Sequence, residues 1–305
     1  MAPSELSRLI KLFSSELGFN HCGIARAEKL NDHESRLKDW LDSGFNGTMG
    51  YMERNFELRT NPTLLVEGAL SIISVSLNYY SKDRSGDNRA RFSKYSYGRD
   101  YHNIIKDKLY LLLEYIKTQS PELKGRVFVD SAPLLEKAWA KRAGLGWIGK
   151  NSLLLNRETG SYSFLGFLII DKELEYDDPF SDDYCGSCSL CVDSCPTLAI
   201  NNDRSLDSRK CISYLSIEKK GDFDPQDKVS LNGWVFGCDI CQDVCPWNRK
   251  LRETQEEGFT VLPEIAEKST EGWQKITEDE FNSIFRDSPV LRVGYKGFLR
   301  NLEHL

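Results

Sequence analysis

Hydrophobic and polar positions in the first 172 residues alternate between a helical and a strand period. Apolar residues recur at helical spacing from Leu6 to Leu17 and stop before Gly18, which predicts an amphipathic helix. The run LSIISVSLNYY at 70–80 is β-branched and apolar, and it predicts a central strand covered on both faces. The same reasoning predicts strands at 22–27, 126–130 and 163–170, and helices at 37–44, 104–116 and 133–141. Strands alternating with helices predict an α/β (α+β) domain.

The composition changes at 177–183, where an acidic stretch that contains a proline leads into a cysteine-rich segment. A change of this kind is typical of a domain boundary. The sequence therefore predicts an α/β domain over 1–175, a cysteine-rich domain over 176–250 and a short helical tail over 251–305.

Charge leaves several kinds of partner open. The chain has 305 residues, with 40 Lys+Arg against 46 Asp+Glu. Nine acidic residues and two lysines lie within 253–280, so the acidity is local and another face can still bind an anion. No apolar run is long enough to cross a bilayer, and the N-terminus lacks the features of a secretion signal. We therefore expect a cytoplasmic protein and, since no coiled-coil pattern is present, a monomer.

Eight of the nine cysteines lie between Cys185 and Cys245, whereas Cys22 stands apart and is expected to be a small core residue. CGSCSLCVDSCP has the CxxCxxCxxxCP spacing of bacterial ferredoxins, and CDICQDVCP repeats part of it. This spacing predicts two [4Fe–4S] clusters in a ferredoxin-like domain, with structural zinc sites as the alternative. We expect a crossed assignment, with one cluster on Cys185, Cys188, Cys191 and Cys245 and the other on Cys195, Cys211, Cys238 and Cys241.

The long domain before the cysteines indicates that the clusters deliver electrons to a site within it. GLGWIG at 144–149 matches a dinucleotide-binding motif in its letters, but it follows a predicted helix rather than a strand, which argues against that function. DYHNII at 100–105 begins like the cobalamin-ligating DxHxxG motif and lacks its glycine. His102 is therefore expected to begin a helix rather than to bind cobalt.

Several long motifs carry a family resemblance: VFVDSAPLLEKAWAKRAGLGWIGKNS at 127–152, CISYLSIEKKG at 211–221 and GWVFGCDICQDVCPWN at 233–248. With the double cluster motif, SYGRDYH and FRDSPVLRVGYKGFLRN, they closely resemble the epoxyqueuosine reductase family. Members of that family carry cobalamin and two [4Fe–4S] clusters, share a catalytic core with reductive dehalogenases, and reduce epoxyqueuosine at the wobble position of tRNA. Many continue into C-terminal helical repeats beyond the position where this sequence ends.

The resemblance implies a cobalamin-binding catalytic domain over 1–175 and a ferredoxin-like domain over 176–250. It implies an anticodon stem–loop of tRNA as the substrate and an external electron donor such as a ferredoxin or flavodoxin. The alternatives are a reductive dehalogenase, which typically carries a twin-arginine export signal that is absent here, and an electron-transfer subunit with clusters but no corrin.

Removal of an epoxide oxygen as water requires an acid. Asp130 ends the apolar run RVFVD, where desolvation can raise the pKa of a carboxyl group and keep it protonated. On spacing alone, Asp130 is equally consistent with a cap of the helix that Pro133 opens. The resemblance implies that Asp130 is the proton donor.

The resemblance also implies which residues hold the cobalamin, and it leaves the choice between Arg54 and Arg59 open. Each position has a surface or turn role as its alternative. The implied residues are Arg54, Arg59, Ser93, Asp130, Gly149, Lys150, Asn151 and Ser213.

Basic residues at 84–99 alternate with aromatic ones, a pattern suited to phosphates beside unstacked bases. A solvated surface is the alternative. The basic residues are Arg84, Arg89, Arg91, Lys94 and Arg99, against a single acid, Asp87. The resemblance adds Lys219 and Lys220 as candidate tRNA contacts.

Overall fold

The computed structural model describes residues 1–82, 90–223 and 230–305. Its strands, in chain order, are β1 His21–Arg26, β2 Ser71–Asn78, β3 Arg91–Phe92, β4 Gly125–Phe128, β5 Trp147–Ile148, β6 Leu154–Leu155, β7 Ser163–Ile170 and β8 Trp234–Phe236. Its helices are α1 Pro3–Glu16, α2 Asn31–Asp42, α3 Phe56–Thr60, α4 Tyr101–Gln119, α5 Glu136–Arg142, α6 Leu190–Asp193, α7 Ile212–Ile217, α8 Ile240–Asp243, α9 Pro263–Glu267, α10 Thr270–Gln274, α11 Glu278–Ile284 and α12 Gly294–Glu303. None of these helices is long and apolar enough to span a membrane.

The main sheet has four strands in the order β1-β2-β7-β4, and each neighbouring pair is antiparallel. The predicted central strand is confirmed: all eight residues of β2 are buried. Helices cover both faces of the sheet, because β2 sends Ile73 and Val75 into the core shared with α1 and α4, and Ile72 into the core shared with α5. The domain is thus an α+β arrangement with an antiparallel sheet.

The segment after β4 differs from the sequence prediction. The strand ends at Phe128 rather than at Asp130, and the next helix begins at Glu136 rather than at Pro133. Leu135 holds the N-cap position of that helix, so the alternative role of Asp130 as its cap is wrong. Asp130 instead has a φ of 49°, in the left-handed region that few non-glycine residues adopt.

The C-terminal helices form a third core around aromatic side chains. Trp273, Phe281, Phe285 and Phe298 are fully buried there, as the predicted helical tail requires. Phe92 of β3 packs in the same core, and β3 pairs in parallel with β8. This pairing holds the chain segment that leads into α4 next to the second cysteine motif.

Candidate active site

A cavity of about 640 Å³ is lined by residues from the sheet domain, the cysteine segments and the tail. Its size is typical of ligand and cofactor sites. The sheet domain contributes Asp130 and His102, and the tail contributes Arg292. Four cysteines also line it: Cys195, Cys211, Cys238 and Cys241.

A second cavity, of about 760 Å³, adjoins the first. Asp130, Glu218 and Arg292 line both cavities, so Asp130 lies where they meet. Arg292 and Glu218 form an ion pair, with Nε–Oε1 and Nη2–Oε2 distances of 2.5 and 3.0 Å. This pair joins the tail to the residues that follow α7.

The remaining motif cysteines lie together elsewhere. They line a smaller cavity of about 270 Å³ and are Cys185, Cys188, Cys191 and Cys245. The structure therefore brings together the same two groups of four that the sequence predicts, with Cys245 beside the first motif. Burial, together with the nearby Cys211 and Cys195, raises the pKa of the Cys238 thiol to about 12. A bound metal cation reverses that preference and holds thiolates.

Asp130 is fixed by its backbone as well as its side chain. Its backbone N–H donates a 2.6 Å hydrogen bond to Oε1 of Glu136, in the first turn of α5. Its Oδ2 lies 3.1 Å from Nε2 of His102. About half of the carboxyl side chain is accessible, and this surface faces the two cavities.

His102 lies in the first turn of α4, two residues after the N-cap Asp100. Oδ1 of Asp100 accepts hydrogen bonds from the His102 backbone N–H at 2.9 Å and from the ring Nδ1 at 2.6 Å. The helix start expected for His102 is confirmed. Its contact with Asp130 was not predicted, because the two residues are 28 positions apart in the sequence.

The carboxylates and the imidazole shift one another's pKa values. Burial lowers the pKa of His102, but Asp100 and Asp130 outweigh burial and raise it to about 9. Burial raises the pKa of Asp130, but the hydrogen bond and charge of His102 outweigh it and hold that pKa below its ordinary value. The expectation that desolvation keeps Asp130 protonated is therefore wrong for the resting site. Burial, reinforced by the charge of Asp130, raises the pKa of Glu136.

Most residues implied for the cofactor line the two larger cavities. Ser93, Asn151 and Ser213 line the first, and Arg54 and Arg59 line the second. Nδ2 of Asn151 and Nε of Arg59 are buried without a hydrogen-bond partner among the described residues. Such donors suit a ligand rich in hydrogen-bond acceptors.

Two of the implied cofactor residues lie elsewhere. Nζ of Lys150 donates hydrogen bonds to the carbonyl oxygens of Gly186 and Cys188, at 2.9 and 2.8 Å. Lys150 therefore holds the first cysteine loop, because its ammonium is already committed to those carbonyls. A Cβ on Gly149 would lie 2.8 Å from Oδ1 of Asn151 and 2.6 Å from Leu155, so this glycine allows close packing behind Asn151.

Comparisons with known proteins agree with this geometry. A family described as "4Fe-4S double cluster binding domain" matches residues 184–248, and one described as "Epoxyqueuosine reductase QueG, DUF1730" matches residues 59–131. An epoxyqueuosine reductase of Cyclobacterium marinum is 48% identical over 298 residues, which cover 97% of this chain and 95% of that protein. The chain belongs to the epoxyqueuosine reductase family.

A solved epoxyqueuosine reductase with an epoxyqueuosine-modified tRNA-Tyr stem loop has the same fold as this family member. The TM-score is 0.89 at 30% identity, covering 98% of this chain and 80% of the other. A reductive dehalogenase described as B12-dependent aligns with a TM-score of 0.50 at 16% identity, covering 99% of this chain and 38% of that one. That second similarity shows a shared fold.

The residues expected to contact tRNA lie in different environments in this epoxyqueuosine reductase family member. Arg91, Arg99 and Lys220 are exposed, and Lys219 is half-buried. Lys94 is a correction: its side chain is 6% exposed, and Nζ lies 2.8 Å from Oδ1 of Asp243. An ammonium enclosed in this way has no surface for a phosphate to reach. Three further residues of the basic segment, Arg84, Asp87 and Arg89, lie outside the described residues.

Proposed function

We propose that this chain reduces epoxyqueuosine to queuosine in the anticodon stem–loop of tRNA. The reaction takes up two electrons and two protons, breaks both C–O bonds of the epoxide, forms a C=C bond and releases water. Membership of the epoxyqueuosine reductase family supports this proposal. The observation that carries it is the single cavity lined both by Asp130 and by four motif cysteines.

In this proposal the eight motif cysteines bind two [4Fe–4S] clusters in the crossed assignment. The match to a double cluster domain supports iron–sulfur clusters over zinc. Cys185, Cys188 and Cys191 are half-buried, so an external ferredoxin or flavodoxin can approach their cluster. A cluster held by Cys195, Cys211, Cys238 and Cys241 would supply electrons at the large cavity. Asn151 lines both cysteine cavities and lies between the two sites.

The two larger cavities suit cobalamin. Asn151 and Arg59 direct unpartnered donors there, and Ser213 lies beside the cluster ligand Cys211. These groups would hold the corrin and its amide side chains, and Tyr95 and Tyr101 supply apolar walls. When bound, cobalamin supplies a strongly reducing metal centre. Asp130 passes a proton to the departing oxygen from its carboxyl group, which lies where the two cavities meet.

The tRNA contacts in this proposal are Arg91, Arg99, Lys219 and Lys220, without Lys94. Arg91, Arg99 and Lys220 are exposed and Lys219 is half-buried, and accessible cations of this kind suit the phosphates of a stem–loop. We further propose that the protein is cytoplasmic and monomeric. Size-exclusion chromatography of the holoprotein tests the oligomeric state.

The test is Asp130→Asn in anaerobically purified holoprotein. We expect unchanged iron and corrin content and a conversion of epoxyqueuosine-tRNA that falls by about 10²–10⁴-fold, the usual contribution of a positioned acid. Asp107→Asn is the matched control, since it removes one carboxylate from the exposed side of α4. Full activity of Asp130→Asn contradicts the acid role. Iron without corrin indicates an electron-transfer subunit instead, and turnover of an organohalide but not of tRNA indicates a dehalogenase.

A further inference from the structure

The imidazole of His102 lies between two carboxylates. Nδ1 is 2.6 Å from Oδ1 of Asp100, and Nε2 is 3.1 Å from Oδ2 of Asp130. An ionised carboxylate only accepts hydrogen bonds, and Oδ1 of Asp100 also accepts one from the His102 backbone. Two accepting partners require a proton on each ring nitrogen. The geometry therefore selects the imidazolium form of His102.

The surrounding structure keeps this ring in place. The Tyr101 ring stacks on it at a centroid distance of 4.2 Å and stacks in turn on Phe164 at 4.0 Å. The first turn of a helix normally disfavours a cation, because the positive end of the helix dipole lies there. Asp100 compensates as the N-cap, so a fixed imidazolium is maintained where a histidine alone would lose its proton readily.

Asp130 cannot by itself be the source of the proton in the resting site. Next to the imidazolium its carboxyl group favours the ionised form, as the direction of its pKa shift indicates. The oxygen that leaves the epoxide nevertheless has to be protonated. Nε2 of His102 lies within hydrogen-bond distance of Oδ2 of Asp130 and carries a dissociable proton. The Tyr101 hydroxyl also interacts with this carboxylate, but burial raises the pKa of Tyr101 well above its ordinary value, so it is the poorer donor.

We propose, on the basis of the proposed function, that His102 stores the proton that Asp130 delivers to the substrate oxygen, and that Asp100 keeps this proton on the ring. In the transfer the N–H bond at Nε2 breaks and an O–H bond forms at Oδ2 of Asp130. That O–H bond breaks as the substrate oxygen gains its proton, while the electrons that break the C–O bond come from the reduced clusters. The pair is left as a carboxylate and a neutral imidazole. Solvent supplies the second proton of the released water and then returns a proton to His102.

His102 is a positioning residue in this scheme, since it acts through Asp130. The charged and titratable groups around the pair come from α3 and the loop before it, the loop after β3, α4 and its N-cap, the loop after β4, α5 and the tail. They are Tyr51, Arg59, Tyr95, Asp100, Tyr101, Lys106, Asp130, Glu136, Lys137 and Arg292. The two aspartates are the groups that contact the ring nitrogens, so a change at Asp100 acts on the stored proton without removing the acid.

The test is Asp100→Asn, because asparagine is as good an N-cap as aspartate and leaves the helix start intact. Single turnover of pre-reduced holoenzyme is followed from pH 6 to pH 9.5, which removes the electron donor from the measurement. With the pKa of His102 near 9, the wild type keeps about 90% of its maximal rate at pH 8. If the pKa of His102 returns to about 6.5 in the variant, the variant keeps about 3% of its maximal rate at pH 8. We expect Asp100→Asn to lose activity at least tenfold between pH 6 and pH 8.

The control is Asp107→Asn, which removes the same charge from the exposed side of α4 and should follow the wild-type profile. An Asp100→Asn profile that matches the wild type up to pH 9 overturns the proposal. Histidine ¹³C NMR of the oxidised holoprotein, assigned with His102→Gln, gives a readout that needs no turnover. The wild type could convert no tRNA while the pKa of His102 is near 9 and is lower in Asp100→Asn. That result would contradict the proposed reaction and support the proton store. If His102 titrates near 6.5 in the wild type, the proton store fails.

Discussion

Lys94 provides the sharpest test of the structure, because sequence reasoning and tertiary structure assign it different roles. Its ammonium lies 2.8 Å from Oδ1 of Asp243 and 3.7 Å from Oδ2 of Asp239, and 5.4 Å from the centre of the Tyr162 ring. Asp239 is completely buried and also accepts hydrogen bonds from Oγ of Ser93 and the Lys94 backbone N–H, at 2.5 and 2.8 Å. Lys94 thus neutralises a carboxylate that has no access to water.

Lys94→Met keeps the length of the side chain and removes its charge. Breaking a buried ion pair by removing one partner costs about 3–5 kcal/mol, because the other charge is left without compensation. At about 2–4 °C per kcal/mol, thermal unfolding should begin on the order of 10 °C lower. Asp239 lies between Cys238 and Cys241, so the variant should also lose iron from the cluster of the large cavity first.

Arg99→Met is the matched control for the Lys94 variant. Its partner Asp287 is 2.7 Å away, but the Arg99 side chain is 61% exposed, and an exposed pair contributes about 0–1 kcal/mol. Anaerobic circular dichroism gives the unfolding temperature of both variants, and filter binding gives their tRNA affinity. We expect Lys94→Met to lose stability and Arg99→Met to lose affinity. If Lys94→Met unfolds at the wild-type temperature and binds tRNA weakly, Lys94 is a surface contact and the buried ion pair is wrong.

Three further predictions concern the rest of the fold. A Cβ on Gly23 would lie 1.9 Å from the carbonyl oxygen of Ala143. Gly23→Ala should therefore lower the free energy of unfolding, measured with denaturant, by more than about 2 kcal/mol. Gly50→Ala is the control and should be nearly neutral, because a Cβ there would meet open space. Trp273 is fully buried, and Trp273→Ala should cost about 3–5 kcal/mol by the same measurement; a cost below about 1 kcal/mol would contradict the tail core. The pKa of His102 is raised in the folded state, so its contribution to stability is complete below about pH 6.5 and is lost as pH rises through about 9. The stability difference between wild type and His102→Gln should shrink over that range, and a constant difference would contradict the raised pKa.

Local patterns determined much of this protein. The apolar periods at the N-terminus and at 70–80 predicted α1 and β2, because the spacing of buried side chains follows directly from helix and strand geometry. The cysteine spacing predicted a double cluster domain, since thiolates at this close spacing bind one cluster together and only the remaining ligands have to come from a distant part of the chain. The quoted motifs predicted the family, which the 48% identical relative bears out.

The tertiary structure decided which of these residues meet. The antiparallel order of the sheet, the burial of Lys94 and the approach of His102 to Asp130 all join segments that are far apart in the chain. The residue type determines which chemistry a side chain can perform, but its burial and its neighbours determine its charge. Burial and neighbours are fixed only when distant segments pack together. A lysine in a basic segment and a histidine at a helix start therefore took roles that no local pattern contains.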